Sequence, residues 1–289
     1  MDPMNISNPR IEPIDYLVIG HITQDVTPEG MRLGGTATYS ALTAKAIGLR
    51  PGIVTCHHEH LDLTPLLGIP IISHYSEYTT TFKNINTQGK RTQYIQHLAE
   101  PVELWMIPET WKQAPIVHFG PVAQEIPVNM IGHFKNHVIG LTPQGWFRSW
   151  DSDGRIHFTE WPESALALEK ATVAILSIED VGGDQRIIDD MLSSIRILAL
   201  TEASSGSRLY WNGDIKGFKP PPTEEIDPTG AGDIFATSFF IRYAQTKDPW
   251  ESARFATLIA ANSVTRPGLS GIPFPAEVQN YLIEVLQKY

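Results

Sequence analysis

The chain contains a single cysteine, Cys56, among 289 residues. One cysteine excludes a disulfide within the chain and any zinc site built from several cysteines. No apolar run approaches the roughly 20 residues that a membrane-spanning helix needs. Residues 1–13 also lack the apolar centre of a secretory signal. We therefore expect a cytoplasmic protein that does not act on a membrane.

Runs of lysine and arginine are missing too, and the formal net charge is −10. This charge balance disfavours a nucleic-acid polymer as partner. An anionic small molecule stays compatible with it, because backbone amides and Mg²⁺ can offset the charge locally. Hydrophobic residues make up 42% of the chain and charged residues 19%, which is typical of globular proteins. We predict that residues 1–289 form one domain.

Apolar segments that read as buried strands recur along the chain. Residues 16–22 form the first, a stretch rich in Ala and Thr ends at Gly48, and residues 52–55 form the second. The order strand, helix, strand predicts an α/β fold with a mainly parallel sheet. Further buried strands are predicted at residues 116–119, 138–141, 173–178 and 195–201.

Residues 69–98 have a different composition, rich in Tyr, Thr and Ile, with a turn at Gln88-Gly89-Lys90. They predict a β-hairpin in a flap beside the main sheet. Asn212-Gly213 predicts a second hairpin. Three helices are predicted after it, one ending near Ala244, one capped by Asp248, and one starting near Pro275.

The clearest chemical feature is Gly230-Ala231-Gly232-Asp233 at a predicted helix start. Glycines let a ligand approach the backbone closely, and the first amides of a helix have no partner within it. Such amides bind a phosphoryl group, and the Asp233 carboxylate could accept a proton from a hydroxyl held there. The alternative is that the glycines only cap the helix and Asp233 only favours its positive end.

The longer string, residues 227–233 (DPTGAGD), resembles the C-terminal motif of the ribokinase-like (PfkB) carbohydrate kinases. The resemblance implies a three-layer α/β/α domain with a small β lid contributed by about residues 69–98. It also implies transfer of the γ-phosphoryl group of ATP, with Mg²⁺, to a hydroxyl of a sugar or polyol. Asp233 would be the catalytic base, and Gly230, Ala231 and Gly232 the oxyanion hole.

The same resemblance extends to other parts of the chain and implies further site residues. The implied substrate-binding residues are Asp25, Gly34, Gly35, Tyr39 and Gln144. The implied ATP-binding residues are Ser177, Thr201, Glu202, Ser205, Gly206 and Asn262. Asp180 is the implied ligand of the metal.

Two positions depart from the family pattern. Tyr39 stands where the family usually has asparagine, which disfavours a ribose-like substrate. The family's Asn-x-x-Glu segment appears here as Ser177-Ile178-Glu179-Asp180. The chain length, Gly20-His21, Gln144-Gly145 and Tyr39 together resemble the inositol-kinase-like branch, which makes myo-inositol a candidate acceptor.

Three other functions remain open. The acceptor could be a nucleoside, or the fold could bind a ligand without catalysis. A metal hydrolase could use residues 57–60 (HHEH), although successive side chains on a strand point to opposite faces. Arg91 on the predicted lid is a candidate cation for the transferred phosphate. A homodimer joined through paired lids is the oligomeric state that such a lid suggests.

Overall fold

The computed structural model describes residues 11–87, 90–135 and 138–287. The strands are β1 (Tyr16–Ile19), β2 (Thr23–Thr27), β3 (Gly30–Gly34), β4 (Pro51–His57), β5 (Ile71–Tyr75), β6 (Thr81–Thr87), β7 (Lys90–His97), β8 (Ile116–Phe119), β9 (Val138–Leu141), β10 (Arg148–Trp150), β11 (Ile156–Phe158), β12 (Val173–Ser177), β13 (Ile197–Thr201), β14 (Ser207–Trp211) and β15 (Asp214–Phe218). The helices are α1 (Thr36–Ile47), α2 (Ser164–Leu168), α3 (Gln185–Ser194), α4 (Ala231–Thr246), α5 (Pro249–Ser263) and α6 (Pro275–Gln287).

Nine of the described strands form the central sheet, in the order β15-β14-β13-β12-β9-β8-β1-β4-β5. The seven strands from β13 to β5 are parallel, and β14 and β15 add an antiparallel edge. The predicted α/β class with a mainly parallel sheet is confirmed. Ligands of such sheets bind beyond the carboxyl ends of the strands, so that edge is where a site is expected.

Successive side chains of β1 pack on opposite faces of the central sheet, which gives the fold three layers. Leu17 and Ile19 pack on one face of the sheet, in the core that contains helices α2 and α3. Tyr16 and Val18 pack on the other face, with α1, α4 and α5. Both faces of a parallel sheet are thus covered, which explains why β1 is apolar at every position.

Helix α4 lies directly against the sheet because one strand residue lacks a side chain. The ring of Phe240 occupies the space that a Cβ on Gly140 of β9 would need. Phe239 and Phe240 are both fully buried. Close contact at this point sets the height of α4, and hence of its first turn, above the sheet.

Four strands form a second sheet, in the order β3-β2-β6-β7. The hairpin β6–β7 confirms the predicted hairpin, while Gln88 and Gly89 of its turn lie outside the described residues. The boundary of about 69–98 for the lid is wrong at its start, since β5 pairs with β4 in the central sheet. The lid sheet also contains β2 and β3, which the sequence analysis did not predict.

The remaining described elements are short. Strands β10 and β11 form a two-stranded hairpin, and 3₁₀ turns connect several strands to the next element. Every helix in the described ranges is too short or too polar to cross a bilayer.

Candidate active site

The first turn of α4 is built around Gly230, which has a φ of +79°. A side chain there would be strained in this left-handed conformation. It would also collide with the ring of Tyr39 from α1. Tyr39 is 3% exposed, so the ring cannot move aside without opening the core. Glycine is therefore required at position 230 for two independent reasons.

The backbone of this turn has amides that point away from the helix. The amide of Ala231 donates to the carbonyl of Pro228 at 3.1 Å. In the described part of the chain, the amides of Gly232 and Asp233 donate to no backbone carbonyl outside the helix and to no side chain. Asp227 holds the preceding loop, because its carboxylate accepts from the amides of Thr229 at 2.9 Å and Gly268 at 2.8 Å. The helix start can thus offer two amides to an anion.

Asp233 lies in this turn, partly buried, with three groups around it. Its carboxylate is hydrogen-bonded to the side chain of Thr36 at the start of α1. Burial raises its pKa to about 6, and the nearby charge of Asp180 acts in the same direction. Thr36 and the guanidinium of Arg148 act in the opposite direction. Such a carboxyl is mostly ionised at neutral pH yet more basic than an ordinary aspartate, as a general base requires.

Asp180 follows strand β12 and is held by two hydrogen bonds. Its Oδ2 accepts from the amide of Ser177 at 2.9 Å, and its Oδ1 accepts from Nε2 of Gln144 at 2.8 Å. Burial raises the pKa of Asp180, while these two bonds and Arg148 lower it. The hydroxyl of Ser177 accepts from the amide of Glu179, which closes a capping box.

The donor set around Asp180 fits Mg²⁺. Magnesium is held in proteins by one or two carboxylates, with substrate phosphates and waters completing its shell. Each oxygen of Asp180 accepts one recorded hydrogen bond, and a carboxylate oxygen has two lone pairs. No group of three His, Cys, Asp or Glu side chains converges on one point within residues 11–87, 90–135 and 138–287. The residues 57–60 do not form a metal cluster there.

The candidate substrate residues meet at the junction of the two sheets. Asp25 is a residue of strand β2, and its carboxylate lies against Gly34 of the paired strand β3. Gly35 has a φ of +86° and begins α1. Burial raises the pKa of Tyr39, and the charges of Asp233, Asp227 and Asp25 act in the same direction. Tyr39 therefore stays neutral, and its phenol lies within electrostatic range of all three carboxylates.

The candidate ATP-binding residues form a second group, around the connection from β13 to β14. Thr201 ends β13, Ser205 lies in the 3₁₀ turn Ala203–Ser205, and Gly206 follows with a φ of +98°. The carboxylate of Glu202 pairs with Arg208 of β14. Asn262 lies on α5 and bonds Glu277 of α6.

Two residues at the centre were missed by the sequence analysis, namely Thr36 and Arg148. Thr36 directly follows the predicted Gly34-Gly35 pair, so a hydroxyl at the helix start was the available signal. Arg148 lies four positions after Gln144 and carried no local signal. The side chain of Arg91, the predicted lid cation, is outside the described part of the structure.

A cavity of about 800 Å³ lies elsewhere, between strands β6 and β7 and residues 150–154. None of its lining residues is a predicted site residue. Asp233, Asp180 and Arg148 influence one another electrostatically, whereas Asp151 of this groove is paired with His157. We place the candidate active site at Asp233.

Comparison with known proteins agrees with this geometry. Residues 179–276, which include Asp180 and Asp233, match the family described as pfkB family carbohydrate kinase. Over these residues the chain resembles the ribokinase-like (PfkB) family, as the sequence predicts. Over 270 residues it is 24% identical to the cytidine kinase of Thermococcus kodakarensis, covering 83% of this chain and 92% of that protein. The predicted phosphotransferase activity with an alcohol group as acceptor is supported by this match and by relatives that are named kinases.

Solved structures share the fold of this protein. One is a pyrophosphate-dependent myo-inositol-1 kinase converted into a myo-inositol-3 kinase, with a TM-score of 0.77, 16% identity, and coverage of 93% of this chain and 99% of that chain. Another is the ribokinase of Arabidopsis thaliana complexed with ribose and ATP, with a TM-score of 0.71, 16% identity, and coverage of 94% and 99%. The predicted ribokinase-like α/β/α fold with a small β lid is confirmed.

Proposed function

We propose that this protein transfers the γ-phosphoryl group of ATP to a hydroxyl of a sugar or polyol, with myo-inositol as the leading candidate acceptor. The observation that carries the proposal is the Asp233 carboxyl, whose pKa burial raises to about 6. It lies in the same turn as the amides of Gly232 and Asp233. A base and an anion-binding helix start are thus in one place.

The proposed reaction needs few protein groups. Asp233 accepts the proton of the acceptor hydroxyl while the hydroxyl oxygen forms a bond to the γ-phosphorus. The bond from that phosphorus to the bridging oxygen breaks, and ADP leaves with the electron pair. The first amides of α4 stabilise the charge on the transferred group. Thr36 orients the carboxylate through its hydrogen bond.

The remaining candidate residues would bind the two substrates. Asp25 and the Gly34–Gly35 backbone hold acceptor hydroxyls, and Tyr39 closes the pocket beneath Gly230. Asp180, held by Gln144 and Ser177, would hold Mg²⁺. Mg²⁺, when bound, neutralises phosphate charge. Residues 201–206 and Asn262 would contact the nucleotide.

A nucleoside is the second candidate acceptor. It is favoured by the likeness to the cytidine kinase, which spans most of both chains. Tyr39 stands against it, since its ring fills the space beneath Gly230 that a smaller side chain would leave open. Pyrophosphate is a second candidate donor, because one structural neighbour is described as pyrophosphate-dependent.

A matrix of donors and acceptors tests the proposal. Purified protein is mixed with ATP or pyrophosphate and with myo-inositol, ribose, fructose, cytidine or adenosine, and phosphorylated product is measured by mass spectrometry. We expect product with ATP and a polyol or sugar. Product formed only with nucleosides would show that the acceptor is a nucleoside. Product formed only with pyrophosphate would show that the donor is pyrophosphate and not ATP. Binding of an acceptor with no product from any pair would contradict the kinase proposal.

Asp233→Asn is the decisive variant. It removes the base but keeps the size of the side chain, so kcat should fall by about 10²–10⁴-fold. Affinity for ADP, measured by calorimetry, should change little. Asp214→Asn, an exposed position on β15, is the matched control and should retain wild-type kcat. Near-wild-type turnover of Asp233→Asn would remove Asp233 from the mechanism.

A further inference from the structure

Arg148 has no role in the mechanism proposed above. It begins β10, directly after the 3₁₀ turn Pro143–Phe147 that carries Gln144. Gln144 bonds Asp180, so the same short segment supplies both a carboxylate partner and a cation. Arg148 is partly buried.

Two contacts from different elements hold the guanidinium in place. Its Nη1 donates to the carbonyl of Val122, in the loop after β8, at 2.8 Å. Its carbon lies 5.4 Å from the ring centre of Phe82 on the lid strand β6. A guanidinium has five N–H donors in a rigid fork, so it can hold Val122 and contact other acceptors at the same time.

The loop that holds Arg148 is itself rigid. Glu125 is 2% exposed, and its carboxylate accepts from the amides of Val122 at 3.0 Å and Ala123 at 2.7 Å. The same carboxylate accepts from the amide of His21, after β1, at 3.1 Å. A buried carboxylate therefore fixes the carbonyl to which Arg148 is anchored. Fixed dipoles and charges of this kind stabilise a transition state without reorganising.

Both acidic groups of the site lie within the electrostatic range of Arg148. Burial raises the pKa of Asp180 and of Asp233, and the guanidinium acts in the opposite direction on each. The two carboxylates repel each other across the site, since Asp180 also raises the pKa of Asp233. The loop that Arg148 bonds also adjoins the site, because a Cβ on Gly120, two residues before Val122, would collide with Cγ2 of Thr36.

We propose that Arg148 is a catalytic residue that contacts the phosphoryl group in transit between donor and acceptor. This rests on the proposed kinase function. As the acceptor oxygen bonds to phosphorus and the bond to the leaving oxygen of ADP breaks, negative charge spreads over the phosphoryl oxygens. Arg148 donates N–H groups to that charge. It neither gains nor loses a proton, since the proton goes to Asp233 and the electron pair to ADP.

The experiment measures binding of a transition-state mimic, so its readout does not depend on turnover. Calorimetry compares ADP alone with ADP plus aluminium fluoride, each with Mg²⁺ and the acceptor found in the matrix. We expect Arg148→Gln to weaken the aluminium fluoride complex by about 10²–10³-fold, with ADP affinity nearly unchanged. Arg148→Lys keeps the charge without the fork and should lose less.

Two controls separate a catalytic role from a structural one. Arg186→Gln changes an arginine on α3 that pairs only locally with Asp184, and it should bind both ligands as the wild type does. In the pH profile of kcat, the acid limb should move to higher pH in Arg148→Gln, because the lost positive charge no longer opposes protonation of Asp233. Arg148→Lys keeps that charge and should leave the limb in place. A purely structural defect would lower the melting temperature and leave that limb in place.

The outcomes distinguish the two hypotheses. Wild-type protein that binds no aluminium fluoride complex and forms no product would overturn the kinase function, and the role of Arg148 with it. Wild-type activity together with unchanged mimic binding by folded Arg148→Gln would overturn the role of Arg148 alone. If Arg148→Gln does not fold, the same measurements are made on Arg148→Lys. Wild-type binding of the aluminium fluoride complex together with wild-type kcat in that variant would overturn the proposal.

Discussion

The pKa of Asp233 is influenced by a like charge, Asp180, and by an opposite charge, Arg148. Burial is the largest influence on its pKa, and the two charges largely oppose each other. A base with a pKa near 6 keeps most of its ionised population at neutral pH and gains basicity over a free aspartate. The residues around Asp233 thus set its pKa in a range suited to proton transfer, while the side chain stays partly exposed to solvent.

The pH dependence of turnover follows from this environment. In the proposed mechanism Asp233 acts when ionised, so protonation below its pKa removes the base. We expect kcat to be level near neutral pH and to fall about tenfold per pH unit below about pH 6. Steady-state rates with saturating substrates measure this limb. A limb close to pH 4, the range of an ordinary aspartate, would contradict the raised pKa.

At the scale of the element, the first turn of α4 depends on two glycines that differ in their surroundings. Gly230 has a φ of +79° and lies against the Tyr39 ring, whereas a Cβ on Gly232 would meet no atom within 4 Å. Position 230 thus requires glycine for the fold. Position 232 does not, and its open space is where a ligand approaches.

These two glycines provide a matched pair of variants. Gly230→Ala should lower the free energy of unfolding by about 1–3 kcal/mol, through backbone strain and overpacking. Gly232→Ala should leave it unchanged or raise it by about 0.5–1 kcal/mol, because alanine favours a helix. Urea denaturation measures both. Equal effects of the two substitutions would contradict the assigned contact between Gly230 and Tyr39.

The elements also show where sequence patterns suffice. Strands β8 and β9 coincide with the predicted residues 116–119 and 138–141, since continuous apolar runs mark strands covered on both faces. The hairpin at Asn212-Gly213 is confirmed, with both residues at positive φ as its turn requires. Strand β2 carries mostly polar, partly exposed residues, and β3 has two glycines and three exposed positions, so neither strand was marked by a buried apolar run.

At the scale of the whole molecule, a buried hydrogen-bond chain joins the sheet to helix α4. The hydroxyl of Tyr16 on β1 lies 2.9 Å from Nδ1 of His118 and 3.3 Å from Oγ1 of Thr237 on α4. Nε2 of His118 lies 2.8 Å from Oγ1 of Thr142, just after β9. Burial lowers the pKa of His118 to about 3, so the ring is neutral and links one donor to one acceptor.

Removing the hydroxyl of Tyr16 should break this chain at its centre. Tyr16→Phe leaves Nδ1 of buried His118 without that partner, and we expect a loss of about 1–3 kcal/mol in the free energy of unfolding. Tyr75→Phe, at a position 58% exposed, is the control and should change it little. Denaturant unfolding compares the two variants. A loss no larger than that of the control would show that the chain contributes nothing to stability.

The assembly and location of the molecule stay predictions. The molecular mass of the protein in solution tests whether it forms a homodimer through the lid sheet.

The sequence alone was enough for the parallel sheet and for the turn that carries Asp233. Both depend on contiguous residues. The sheet depends on the apolar runs of the strands, and the turn depends on residues 227–233 at the helix start. Tertiary structure decided what surrounds that carboxyl. Thr36, Arg148 and Asp180 reach it from different strand ends, and the membership of β5 depends on its pairing with β4. Burial and charge act through space, so no local pattern could have revealed which distant residues set its pKa.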